Sequence, residues 1–278
     1  MAHSDLTLLV VHAHPDDEAT STGGVLHKYS AEGVRTVLVT CTGGELGDGP
    51  GGVKPGESGH DEATVRDMRR LELEASRATL GVADLEMLGY LDSGMAGWPQ
   101  NGRSGSLSGT DLEEELARLI PMFERFRPQV VISYDQTGGY GHPDHVRAHE
   151  LAVAATDRTG IPAKLYYTAF PKSIFKRGLA AAREAGISSE QLPSLDFNLD
   201  DPPFGVDDSL ITTRIDVASD VPAKLAALRA HASQADNGFW LTLPAPIVTS
   251  FMSTEYFIRA VDSTGSPVPE SDLFAGIR

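Results

Sequence analysis

Two imidazoles and three carboxylates crowd into His12-Ala13-His14-Pro15-Asp16-Asp17-Glu18, directly after the largely apolar run Leu6 to Val11. Gathering so many acids in one turn away from water is unfavourable unless a cation neutralises them, so the segment reads as a metal site. The alternative is a set of solvated loop acids in which Asp16 or Asp17 caps the following helix. A second segment repeats the pattern. The apolar run Val130 to Tyr134 ends in Asp135, and His142-Pro143-Asp144-His145 follows a glycine-rich turn. Five of the nine histidines, His12, His14, His142, His145 and His149, fall in these two segments and the helix after the second. Two His and one carboxylate with an open position suit a catalytic zinc, which turns water into a usable nucleophile near neutral pH. Iron(II) accepts the same ligand set. His142 and His145, three apart at a helix start opened by Pro143, can divide the work, one coordinating and the other facing substrate. His149, one turn further on, is either a partner to a ligand or a surface histidine.

For the two segments to meet, both must leave the same edge of one sheet. Short apolar runs near 6–12, 34–40, 85–90, 129–134 and 164–169 alternate with helical patterns near 21–32, 61–80, 111–126 and 143–157. That alternation predicts an α/β fold, a Rossmann-like, mostly parallel sheet flanked by helices. The first two runs are apolar throughout, as expected of central strands covered on both faces. In such a sheet the carboxyl ends of neighbouring strands form the ligand crevice, and acids stand there in place of a glycine-rich phosphate loop. Residues 1–170 are therefore expected to form the catalytic core. Residues 171–262 are expected to form a smaller C-terminal cap with a helix near 171–185, a Pro/Asp-rich stretch (Leu192 to Asp208), a strand near 210–216, a helix near 220–233 and a strand near 250–260. Residues 263–278 are expected to be a mobile tail.

Composition narrows the function. A 41% hydrophobic content over 278 residues can bury a sizeable core, and 28 Gly with 17 Pro stay below the level of low-complexity sequence. The formal net charge of −16 repels phosphate backbones and anionic lipid, and no basic patch offsets it, so neither nucleic acid nor a membrane is an expected partner. Cys41 stands alone, which excludes an internal disulfide and a multi-thiolate zinc site. Asp5 before the first apolar run and the absence of a signal-like segment point to a cytoplasmic protein. Oligomeric state leaves no trace in the sequence.

The two motifs make the chain similar to the PIG-L/LmbE superfamily of zinc-dependent N-deacetylases, whose hallmarks are His-Pro-Asp-Asp-Glu (here His14 to Glu18) and a distal His-Pro-Asp-His (His142 to His145). Within it, VHAHPDDE, VTCTGGE (Val39 to Glu45), LDSGMAG (Leu91 to Gly97) and YDQTGGYGHPDH (Tyr134 to His145) resemble the mycothiol-pathway N-acetylglucosaminyl-inositol deacetylases and S-conjugate amidases. The matches span the first 150 residues or so. The resemblance implies that His14, Asp17 and His145 hold zinc, that Asp16 is the general base, and that His142 stabilises the oxyanion or protonates the leaving amine. It further implies that Tyr140 closes over the acyl group, and that Arg69 and Asp92 grip sugar hydroxyls. His231 is similar to a C-terminal histidine near the substrate pocket of these enzymes. The residues alone leave open which of Asp16 and Asp17 is ligand and which is base.

The glycine-rich stretch Gly43 to Gly59 is either a lid beside the pocket or a variable surface loop, and Trp98 either stacks on a sugar or anchors its own loop. The resulting expectation is a zinc hydrolase acting on an N-acetylglucosamine-containing small glycoconjugate. A conjugate amidase is the alternative, although that branch carries a Lys shortly after its acidic motif where this chain has Ser21. A deacetylase of a glycosylated natural product is a third reading. A non-catalytic metal- or sugar-binding module belongs to a different class, and so does a two-metal phosphoesterase, which needs more bridging carboxylates than the two segments offer.

Overall fold

The computed structural model describes residues 5–187 and 205–278. Seven strands form one sheet in the order β3-β2-β1-β4-β5-β7-β6: β1 Thr7–His12, β2 Arg35–Thr42, β3 Asp84–Tyr90, β4 Val130–Ser133, β5 Lys164–Ala169, β6 Thr213–Asp216 and β7 Thr254–Asp262. The first five pair in parallel, and β7 and β6 add antiparallel at the β5 edge. Strand β1 shows why both faces are apolar. Leu8 and Val10 enter one hydrophobic core, while Leu9 and Val11 enter the other. Because the chain crosses from β3 back past β1 to reach β4, the β1–β4 boundary is the topological switch point, and both histidine-rich turns leave the sheet there.

The flanking helices begin and end where local chemistry dictates. Helix α3 (Glu62–Leu80) starts at Asp61, whose side chain accepts from Thr64 N, and stops at Gly81 with φ 68°. Its buried stripe is Val65, Arg69, Leu73, Ser76 and Leu80, so two polar side chains occupy core-facing positions. Helix α5 (Pro143–Thr159) has His142 as its N-cap and Pro143 in the first turn. The helix expected over 21–32 is α2 (Gly23–Ala31), and a short α1 (Asp17–Ser21) precedes it across Thr22. Gly24 permits this packing, since a Cβ there would stand 2.6 Å from Val217. The Glu255 carboxylate accepts the N–H groups of Gly24 and Val25, each at 2.8 Å, and so ties β7 to the start of α2.

Helix α4 (Leu112–Phe126) buries Glu115, whose two carboxyl oxygens have no hydrogen-bond partner among the described residues. Arg147 Nε stands 3.5 Å away, but burial prevails and pushes the carboxyl up to about 8. The folded chain then holds a proton that the unfolded chain releases at its ordinary value near 4.5, so stability falls as pH rises between those values. Glu115→Gln is expected to flatten that decline in melting temperature between about pH 5 and about pH 8. An unchanged slope would contradict a protonated Glu115.

The C-terminal third differs from expectation. Helices α6 (Ile174–Glu184), α7 (Val221–Ala230), α8 (Ala235–Thr242) and α9 (Ala245–Met252) accompany β6 and β7, which extend the main sheet itself, while α7 packs on α3 and α2. Helix α9 occupies the start of the strand expected over 250–260. Residues 188–204 of the Pro/Asp-rich stretch lie outside the described residues. The expected mobile tail is corrected: Leu273 and Phe274 are fully buried, Leu273 N donates to Tyr29 Oη, and Glu270 accepts from Lys164, Tyr166, Thr213 and Arg259. Among the described residues no helix is long and apolar enough to cross a membrane.

Candidate active site

Three donor groups converge where β1 and β4 end. His14 Nδ1 lies 3.3 Å from His145 Nε2 and 3.4 Å from one oxygen of Asp17, whose other oxygen lies 3.4 Å from His145 Nε2. A tetrahedral ion with bonds of about 2.0–2.1 Å separates its ligands by about 3.3–3.4 Å, which matches the two imidazole nitrogens and the distance from each to one or the other oxygen of Asp17. The remaining ring nitrogens agree. His145 Nδ1 faces Gly138 O at 3.1 Å and His14 Nε2 faces Asp144 at 3.2 Å, so each ring donates outward and, when neutral, presents its other nitrogen to the donor triangle. Gly138 is required for the first contact: it sits at φ 64°, and a Cβ there would meet His145 Cβ at 2.6 Å. Opposing imidazoles hold the Asp17 carboxyl well below its ordinary range despite burial.

His142 and two further carboxylates also come near His14, since Asp92 and Asp144 stand on its Nε2 side. Those two acids already accept backbone N–H groups, Asp92 from Leu46 and Gly94 and Asp144 from Ser93. The His142 ring accepts from Asp144 N through Nδ1, which leaves a proton on Nε2. Burial and the two neighbouring imidazoles push His142 down to about 3, so it is a neutral hydrogen-bond donor.

Asp16 sits beside the triangle at φ 114°, a left-handed conformation that strains any residue but glycine. Arg69 Nη2 holds its carboxylate at 3.1 Å. Burial, opposed chiefly by Arg69, pushes the Asp16 carboxyl up to about 6. That value keeps it ionised at neutral pH while leaving it basic enough to take a proton. Tyr140 stands 60% exposed on the loop of Gly138, Gly139 and Gly141, with its ring 5.0 Å from that of His145. A cavity of about 240 Å³ is lined by Asp17, Tyr140 and His145 together with Phe170, Trp240, Phe251 and Tyr256.

The expected sugar contacts sit deeper than expected. Arg69 is 4% exposed and donates to Pro15 O and Gly44 O as well as holding Asp16. Asp92 is equally enclosed. His231, expected near the substrate, is fully buried, and its Nε2 binds Glu18 at 2.7 Å. His149 is no ligand partner either. Its Nδ1 binds Tyr134 O at 2.9 Å and its ring packs on Tyr167. In the Gly43–Gly59 stretch, residues up to Gly49 are held by Arg69, Gln234 and Asp92, and exposure begins at Pro50. Trp98 folds over Gly94, where a Cβ would meet its ring at 2.5 Å, so it anchors its loop.

Sequence reasoning missed Glu18 and Asp144 as orienting groups, though both stand inside the two motifs. It also missed His12 and Tyr134, which lie under the site. His12 is pushed down to about 4 by burial, and binds Thr22 and Tyr134 at 2.8 and 3.1 Å, while the Tyr134 ring stacks on His145 at 4.2 Å.

The parallel sheet carries at its switch point a cluster of imidazoles and carboxylates able to hold a metal ion, with the strained Asp16 beside it, which is the arrangement of an α/β protein with a candidate metal site. Residues 9–156 match the model of the PIG-L family, described as GlcNAc-PI de-N-acetylase, and the chain belongs to that family of deacetylases. Proteins from Thermobispora bispora and Acidothermus cellulolyticus, each named 1D-myo-inositol 2-acetamido-2-deoxy-alpha-D-glucopyranoside deacetylase, are similar along nearly their whole length. The first is 38% identical over 99% of both chains, and the second 42% identical over 98% of this chain and 95% of its own. Among solved structures, N,N'-diacetylchitobiose deacetylase from Pyrococcus horikoshii superposes with a TM-score of 0.58 at 20% identity, covering 91% of this chain and 83% of the other. The A40926 pseudoaglycone deacetylase Dbv21 gives 0.57 at 17% identity over 92% and 97%. These two likenesses bear on the fold.

Proposed function

We propose that this chain hydrolyses the N-acetyl amide of a glucosaminyl-inositol glycoconjugate, with His14, Asp17 and His145 as ligands of one zinc ion. The carrying observation is the donor triangle with Asp16 beside it, and the names of the full-length relatives support the substrate. Iron(II) fits the same donors. A divalent cation in that triangle polarises the amide carbonyl and acidifies water. Asp16, steered by Arg69, takes one proton from the attacking water as its oxygen bonds to the carbonyl carbon. His142 Nε2–H and the Tyr140 hydroxyl donate to the carbonyl oxygen as charge builds there. When the C–N bond breaks, the proton passes to the amine nitrogen, which leaves acetate and a free glucosamine. We place the protein in the cytoplasm, in keeping with the buried lone thiol of Cys41.

A second reading, an amidase for larger acyl groups, is favoured by the cavity. Its volume of about 240 Å³ is far above the roughly 10–15 Å³ that holds one water, and its lining includes the aromatic rings of Phe170, Trp240, Phe251 and Tyr256. Both readings are tested by acyl release from N-acetylglucosaminyl-inositol, a mycothiol S-conjugate and an acylated glycopeptide-antibiotic core. The inositol substrate is expected to turn over fastest. Faster cleavage of the conjugate would favour the amidase, and a zinc-loaded protein inert on all three would identify a binding module.

A further inference from the structure

The peptide joining Pro15 to Asp16 is gripped at both polar ends. Its carbonyl oxygen accepts from Arg69 Nη2, and its N–H donates to Glu18 Oε2 at 2.9 Å. That peptide sets the unusual φ of Asp16, and a strained backbone persists only where its surroundings over-determine it. The other Glu18 oxygen accepts from Ser76 Oγ on α3 and from His231 Nε2 just past the end of α7. Glu18, Ser76 and His231 are all fully buried.

We propose that His231 is a positioning residue for the base: through Glu18 it holds the Pro15–Asp16 peptide in the orientation that aims the Asp16 carboxylate at its proton. The inference rests on the assignment of Asp16 as base. His231 Nδ1 has no hydrogen-bond partner among the described residues. A buried nitrogen left unpaired is unfavourable, so an apolar side chain would fill the position better if packing were its only task. The imidazole is held there for its Nε2–H, one of three donors that the Glu18 carboxylate accepts from separate parts of the chain. In this way the C-terminal third, although it supplies no ligand to the donor triangle, sets the geometry of the acid at the reaction centre.

The test compares His231→Phe, which keeps a ring without a donor, with His231→Gln, whose amide nitrogen reaches a similar point. Each is made in the parent enzyme and in Asp16→Asn. In the parent, His231→Phe is expected to lower kcat about tenfold, with KM and zinc content within about twofold, and His231→Gln to recover most of the rate. In Asp16→Asn, His231→Phe is expected to change the residual rate by less than about twofold, because both substitutions disable one unit. Equal fractional losses in the two backgrounds, or a loss explained by missing zinc, would overturn the proposal. If the Phe variant does not fold, His231→Asn takes its place. Its shorter amide cannot reach Glu18, so it should stay slow where Gln recovers, and equal rates would count against the bond. Full turnover in Asp16→Asn would overturn the base assignment and this inference with it. An inactive Asp16→Asn without coupling to His231 would remove the inference alone.

Discussion

Replacing Asp16 with Asn or Ala is expected to lower kcat by about a thousandfold while zinc stays bound at one ion per chain, the scale set by losing a positioned general base. Asn is the cleaner probe, because it accepts the positive φ of this position more readily than Ala does. The carboxylate contributes as a proton acceptor, so the sign of its pH dependence follows. With the carboxyl pushed up to about 6, kcat/KM falls as the pH drops through that value and Asp16 takes a proton from solvent. A cation in the neighbouring triangle moves this acid limb lower, never higher. The Asn variant should lose the limb along with the rate. Stopped assays of acetate release across the pH range, with zinc measured on the same samples, check both points. Near-parental turnover by Asp16→Asn would remove the base assignment.

His145→Ala should act differently. It deletes one corner of the triangle and leaves His14 Nδ1 and Asp17 facing an opening, so zinc affinity is expected to fall by well over about a hundredfold and activity to vanish with it. Excess zinc should restore part of the rate in His145→Ala and none in Asp16→Asn. Competition against a chromophoric chelator measures the affinity, and the contrast between the variants separates holding the ion from moving the proton. If His145→Ala bound zinc as tightly as the parent, the ion would have to lie elsewhere, with the Asp92 and Asp144 side of His14 as the next place to look.

The five-strand parallel core was legible because its strands are short apolar runs with glycine- and proline-marked breaks. The meeting of the two histidine-rich segments was legible because they leave two strand ends that topology brings together, whereas the division of roles between Asp16 and Asp17 came from the resemblance alone. What escaped has a physical reason in each instance. Leu273 and Phe274 are two apolar residues in a polar tail, without periodicity, and they are buried by long-range partners such as Tyr29 that no local pattern reveals. Helices α8 and α9 lie in the apolar run around Pro244, where period alone does not separate helix from strand. Arg69 and Asp92 were expected at a sugar only because they match sugar-gripping positions of the similar family. Both are nearly buried because the turn they brace offers carbonyl and N–H groups that must be paired. His231 looked like a pocket residue because of the resemblance, yet Glu18, two hundred residues earlier, claims the one ring nitrogen that is bonded among the described residues.

The most direct measurement is the anomalous scattering of a zinc-loaded crystal. One peak is expected about 2.0–2.1 Å from both His14 Nδ1 and His145 Nε2, with an Asp17 oxygen completing the set. A peak bound instead by Asp92, His142 and Asp144, or none within reach of His145, would contradict the site on which the proposed hydrolysis depends.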